Sequence, residues 1–211
     1  MGATKISSQA LIAAHIDALK ACSRCPLMVG PVVTHRPVVS SVYLIGQAPG
    51  PHEGALGKPF AWTAGKTLFR WFERIGLNEE QFRSLTYMSA VCRCFPGKAK
   101  GGGDRVPAPD EIRNCSSWMA EEFSILRPSL VIPVGKLAIE QTLGKGQLVD
   151  VIGKSFNRTM YGVDCQVIPL PHPSGASTWF KREPGISLLQ QGLEEIAAHP
   201  AWIDLRRQIN I

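Results

Sequence analysis

The chain has 211 residues, 23 Lys and Arg against 17 Asp and Glu, a formal charge of +6, and six cysteines. That length suits a single domain with one substantial core, and 19% charged against 45% hydrophobic residues excludes a disordered chain. No apolar run reaches the roughly 18 residues of a membrane-spanning helix, and the cysteines are too sparse for a secreted disulfide framework. Position six is Ile6, where a myristoylated Met1–Gly2 start would carry Ser or Thr. No basic segment leads into an apolar stretch and a small-residue cleavage site. A cytoplasmic protein without a membrane partner is expected. The charge excess permits a polyanionic partner without requiring one.

In chain order, residues 7–21 read as an amphipathic helix with Leu11, Ile12, Ile16 and Leu19 on one face. It runs into Cys22-Ser23-Arg24-Cys25-Pro26, where the proline stops it. Residues 38–45, rich in β-branched side chains and closed by Gly46, predict a buried strand. After it comes Gly46-Gln47-Ala48-Pro49-Gly50-Pro51-His52-Glu53, a rigid irregular loop that carries polar chemistry on Gln47, His52 and Glu53. Residues 63–75 predict a helix with Leu68, Trp71, Phe72 and Ile75 on one stripe and Gly76 as its stop. Within it, Ala64-Gly65-Lys66-Thr67 imitates the end of a phosphate-binding P-loop. Position 60 is Phe60 rather than the glycine that motif needs, and no strand leads directly into it.

A second strand is predicted at 86–91. Residues 97–105 hold four glycines with Lys98, Lys100 and Arg105, which reads as a flexible surface loop or a phosphate contact. Pro109-Asp110-Glu111 opens a helix, with proline in the first turn and carboxylates at the positive end of the dipole. Ile112, Cys115, Trp118, Met119, Phe123 and Leu126 follow at helical spacing. Strands at 130–134 and 165–170 and helices at 136–143 and 184–198 complete the pattern. Strands alternating with helices imply an α/β fold, a parallel sheet between helical layers, with sites at the loops leaving the strands' carboxyl ends.

Two such loops carry candidate chemistry. His172-Pro173-Ser174-Gly175 follows the last strand, on the same sheet edge as the Gln47 loop. A neutral histidine there is able to donate to a developing oxyanion. The cysteines form a third constellation: Cys22 and Cys25, then Cys92 or Cys94, then Cys115 on the inward stripe of its helix. Four thiolates at such spacing suit one metal centre, zinc or iron–sulfur alike. Cys165 lies within a strand and reads as core.

Taken in order, Cys22-Ser23-Arg24-Cys25-Pro26-Leu27, Gly46-Gln47-Ala48-Pro49-Gly50, Gly57-Lys58-Pro59-Phe60, Ala64-Gly65, Cys94-Phe95-Pro96 and His172-Pro173-Ser174 resemble the iron–sulfur-containing branch of the uracil-DNA glycosylase superfamily. The resemblance implies a three-layer α/β/α sandwich around a four-stranded parallel sheet. It also implies a 4Fe-4S cluster in preference to zinc, held by Cys22, Cys25, Cys94 and Cys115. The implied activity is hydrolysis of the N-glycosidic bond of uracil flipped out of DNA, by a protein expected to be a monomer.

By the same resemblance, Phe60 stacks on the base, Gln47 and Ser89 line its pocket, and His172 donates to uracil O2. Glu53, or its rival His52, positions or deprotonates the attacking water. Ser174, Gly175 and Ser177 approach the DNA, with Lys181 and Arg182 on flanking phosphates.

Three departures from the family pattern stand out. Ser89 occupies the place of a base-reading Asn, Gln47 that of a Glu common among iron–sulfur relatives, and Cys92-Arg93-Cys94 precedes a glycine-rich insert. A covalently trapping relative carries a histidine in that insert. Residues 98–110 contain none, which implies ordinary turnover. A reading from another class is a metal-stabilised nucleic-acid-binding module with a degenerate pocket.

Overall fold

The computed structural model describes residues 7–175 and 177–209. The Met1–Gly2 start and Ile6 lie outside the described residues, as does Ala176 within the loop at 174–178.

The first helix, α1 (Ser8–Lys20), is capped by the Ser7 hydroxyl, which accepts from the Ala10 N–H. Strand β1 (Val42–Gly46) is followed by the short α2 (Glu53–Leu56), then α3 (Thr63–Glu73) and α4 (Glu79–Leu85). Asn78 and Gln81 close a capping box at the start of α4. Strand β2 (Tyr87–Ala90) leads through the glycine-rich segment to α5 (Pro109–Leu126). Strand β3 (Leu130–Pro133), α6 (Lys136–Leu143) and α7 (Leu148–Val151) follow, then strands β4 (Phe156–Met160) and β5 (Val163–Val167). A single 3-10 turn at Trp179–Lys181 precedes α8 (Gly185–Ala198) and α9 (Pro200–Arg207).

The sheet corrects the expectation of four strands. It has five, in the order β2-β1-β3-β5-β4, of which the first four are parallel and β4 pairs antiparallel with β5. The extra strand gave no sequence signal because it lies on the edge. Asn157, Arg158 and Thr159 are exposed, so the segment lacks the apolar run of a strand covered on both faces. A two-residue hairpin at Tyr161 and Gly162, both at positive φ, joins it to β5. Helices α4 and α9 also lay outside the sequence pattern.

Alternation along the central strands decides what each face packs against. Val42, Leu44, Met88, Leu130 and Ile132 share a core with Phe72 of α3, Phe82 of α4, Leu193 of α8 and Trp202 of α9. Tyr43, Ile45, Tyr87, Val131 and Val167 point the other way, toward Ile12 and Ile16 of α1 and Phe123 of α5. The result is the expected α/β/α sandwich. The connection leaving β1 runs to β2 on one side and the one leaving β3 runs toward β4 and β5 on the other, so the strand order reverses between β1 and β3, where α/β folds leave a crevice at the carboxyl ends. None of the described helices is long and apolar enough to cross a membrane.

Candidate active site

A pocket of about 190 Å³ opens at that crevice, bordered by the Gln47–Glu53 loop, Phe60, the end of β2 and His172. It is smaller than the roughly 300–1,000 Å³ of sites for drug-sized ligands, and so on the scale of one small ring. The two loops singled out by the sequence do meet. Val134 N donates to Ile45 O at 2.8 Å, and Gly135 N to Leu170 O at 2.9 Å, which carries the chain after β5 up beside β3.

His172 is half-buried at this junction. Its ring lies so close to Gly135 that a Cβ there would meet Cδ2 at 2.8 Å, and Gly135 also sits at φ +88°. Only glycine satisfies both conditions. The Ser174 N–H donates to Nδ1 at 3.3 Å, which leaves Nε2 as the ring's N–H. Burial pushes the imidazole pKa down, against a smaller upward pull from Asp104, so the ring is neutral near pH 7. A neutral donor is thus held at the pocket.

Phe60 adopts φ +52°, and its ring lies against Gly46, where a Cβ would come within 2.9 Å. Two features hold this backbone. A Cβ on Gly65 would fall 1.8 Å from the Phe60 carbonyl oxygen, so the Ala64-Gly65 motif serves close packing rather than phosphate binding. Buried Arg83 donates to the carbonyls of Pro59 and Phe60, both at 3.0 Å, while Glu79 takes its Nε at 2.8 Å. Arg83 carried no sequence signal, because its partners are backbone groups more than twenty residues away.

The remaining expected residues divide. Gln47 borders the pocket with no side-chain hydrogen bond among the described residues, and its carbonyl accepts from Cys92 N at 3.1 Å. Glu53 also borders it, but one carboxylate oxygen accepts from Gly50 N and the other from Ala61 N at 3.2 Å, clamping two loops together. His52 is exposed at the rim and stacks on Trp62, with ring centroids 4.4 Å apart. Ser89 reaches the pocket wall, yet its hydroxyl donates to Glu122 at 3.2 Å on the other side of the sheet.

Glu122 itself belongs to no motif in the sequence. Fully buried, it accepts from both Arg93 nitrogens at 2.7 and 2.9 Å, from the hydroxyls of Tyr43, Tyr87 and Ser89, and pairs with His15 Nε2 at 3.3 Å. Burial pushes its carboxyl pKa up, but Arg93 and the hydroxyls outweigh burial and hold it well below the usual carboxylate range.

The glycine-rich segment departs from the expected flexible loop. Lys98 and Asp104 form an antiparallel bridge and an ion pair at 2.6 Å. Arg105 donates to Pro96 O and grips Glu111 at 2.7 and 2.8 Å, while Glu111 also takes the Ala108 N–H that starts α5. Two of its three cations are therefore engaged internally, and Asp104, which belongs to none of the motifs, borders the pocket. Beyond His172, Ser177 N donates to Ser174 O at 3.1 Å, and Gly175 is exposed. Phe180 packs edge-on against Trp71, anchoring a turn whose Lys181 and following Arg182 are exposed and make no ion pair among the described residues.

The cysteines gather elsewhere. Cys22, Cys25, Cys94 and Cys115 line one cavity of about 330 Å³ together with apolar Leu19 and Met28. Cys92 is fully buried and does not line it; its neighbouring thiol is the main cause that draws the Cys115 pKa down. Asn114 Nδ2 points at Cys25 Sγ from 3.7 Å. Four soft donors on one cavity, which Lys20, Arg24 and Arg93 also border, fit a thiolate-ligated centre in their chemistry. Among the described residues no three His, Cys, Asp or Glu side chains stand close enough together to hold a metal ion as they are. Cys165 is core, its thiol directed at the Arg158 carbonyl.

Comparison with known proteins matches residues 34–193 to the uracil DNA glycosylase superfamily. The Type-4 uracil-DNA glycosylase of Saccharolobus solfataricus is 30% identical over 143 residues, 65% of this chain and 62% of that protein. The enzyme of the same description from Pyrobaculum aerophilum is 26% identical over 166 residues, 75% of this chain and 80% of its own length. A Type-5 uracil-DNA glycosylase from that organism is 26% identical over 153 residues, 58% of this chain and 65% of the relative. The chain thus spans under two thirds of the length of the first of these relatives.

Proposed function

The chain belongs to the uracil-DNA glycosylase superfamily, and on that premise we propose that it removes uracil from DNA by hydrolysing the N-glycosidic bond and leaving an abasic site. The observation that carries this reading is the neutral His172 beside a ring-sized pocket, its Nδ1 occupied by the Ser174 N–H. Cleavage leaves negative charge on the departing base. A donor fixed before charge develops stabilises that state most, with removal of one such donor costing about 10²–10³ in rate.

The other residues take supporting parts. Phe60 stacks on the flipped base, and the Gly65 and Arg83 contacts to its backbone hold the ring in place. The Ser89 hydroxyl is committed to Glu122, so the Gln47 side chain and the backbone at the end of β2 face the base edge instead. Ser174, Gly175 and Ser177 meet the DNA backbone, with Lys181 and Arg182 on flanking phosphates; the internally paired Lys98 and Arg105 contribute less charge to that surface.

Cys22, Cys25, Cys94 and Cys115 would hold a 4Fe-4S cluster, with Cys92 left as a neighbour. When bound, such a cluster supplies a covalent tie between the segment after α1, the segment after β2 and α5. A brown preparation with broad visible absorbance is expected, and a colourless zinc-loaded protein would contradict the assignment.

Incubation of a uracil-containing oligonucleotide followed by alkali tests the activity. Strand cleavage at the uracil is expected. No abasic product at stoichiometric protein would overturn the reading in favour of a binding module with a degenerate pocket.

A further inference from the structure

The reaction needs a group that takes a proton from the attacking water, and the pocket offers few. Gln47 is not a base. His52 lies at the exposed rim, stacked on Trp62. Glu53 spends both carboxylate oxygens on the Gly50 and Ala61 N–H groups, which makes it a clamp between two loops. Asp104 differs. Lys98 holds Oδ1 at 2.6 Å. Oδ2, with no partner among the described residues, faces the Gly50 turn, 3.7 Å from where a Cβ on that glycine would stand.

Asp104 also borders the same pocket as His172 and is close enough to act electrostatically on that ring. Its position is built. The hairpin carrying it is closed by the Lys98–Asp104 pair and pinned to α5 by Arg105 and Glu111.

We infer that Asp104 is the general base of the reaction, supplied by the glycine-rich hairpin rather than by the Gln47–Glu53 loop. This rests on the glycosylase reading above. In the step, a water oxygen forms a bond to C1′ of the sugar as the C1′–N1 bond breaks. The electron pair leaves with uracil, whose O2 receives the hydrogen bond of His172 Nε2, and one water proton passes to Asp104 Oδ2. Lys98 holds the other oxygen and so aims the carboxylate.

Single-turnover excision from a uracil oligonucleotide by wild type, Asp104→Asn, Asp104→Glu and Glu53→Gln tests it, alongside binding to the same sequence carrying 2′-fluoro-2′-deoxyuridine. Asp104→Asn should excise about 10²–10⁴-fold more slowly, bind the uncleavable DNA within about threefold of wild type, and melt like wild type. Asp104→Glu should recover part of the rate. Glu53→Gln should lose thermal stability and less rate than Asp104→Asn. An Asp104→Asn rate within about threefold of wild type overturns the assignment while leaving the glycosylase reading intact. So does a rate loss matched by lost binding, or an SDS-stable adduct between wild-type protein and DNA. A wild type that excises nothing overturns both.

Discussion

The Glu122 cluster and the His172 pocket share strand β2 and similar residue types, yet they use them in opposite ways. Around Glu122, Arg93, Tyr43, Tyr87, Ser89 and His15 saturate both carboxylate oxygens. Around the pocket, His172 keeps Nε2–H, Asp104 keeps Oδ2, and the Gln47 amide has no partner among the described residues. A buried charge with every partner in place ties elements together, whereas polar groups with capacity left over are able to meet a ligand. Ser89 lies at the border, on the pocket wall but spent on the cluster.

The largest expected effect strikes the cluster. Glu122→Gln leaves the Arg93 guanidinium buried without its counter-charge, which should cost about 3–5 kcal/mol of stability by chemical denaturation. A double variant, Arg93→Met with Glu122→Leu, should lose less than the sum of its parts. Additive losses would show that the two do not act as a unit.

Next in size is His172→Ala, which should slow excision by about 10²–10³-fold while moving the denaturation midpoint far less than Glu122→Gln does. Equal stability losses would erase the distinction between the two regions.

Acid should separate them again. Burial drives the His35 pKa down to about 4, its Nε2 lying 2.9 Å from the Arg83 carbonyl. Below pH 6.5 the unfolded chain gains a proton that the folded chain refuses, so stability falls with pH until about pH 4. The His35 share of that loss is about 3 kcal/mol at that end, and His35→Gln should remove it. Glu122, with its pKa held low, stabilises the fold above about pH 4.5 and loses that contribution only as pH falls further. A slope between pH 6.5 and 5 as steep in His35→Gln as in wild type would contradict this division, since buried His172 and His199 account only for a remainder. The smallest effect is Phe60→Ala, expected to weaken uracil-DNA binding by about 1–3 kcal/mol through lost stacking.

Much of this architecture is legible in the chain itself. Apolar runs predict the central strands, since residues covered on both faces have no polar alternative. Pro109-Asp110-Glu111 marks the start of α5 because caps are local chemistry. The motifs Gln47–Glu53, His172–Ser174 and the four cysteines are likewise visible, and the fold brings each group together. The edge strand β4 is not, because half of it meets water.

What the chain does not reveal is which polar groups remain free. Glu122 and Arg83 look like ordinary helix charges until distant backbone and hydroxyl groups close on them. Glu53 and Asp104 are equivalent carboxylates on paper. Only the packed structure ties up both oxygens of one and leaves one oxygen of the other facing the pocket. Residue type and spacing determine the elements and the available chemistry, because propensity, periodicity and capping act over a few residues. Hydrogen-bond satisfaction is settled between residues tens of positions apart, so the tertiary structure alone decides which of those groups are spent on the fold and which are left for a ligand.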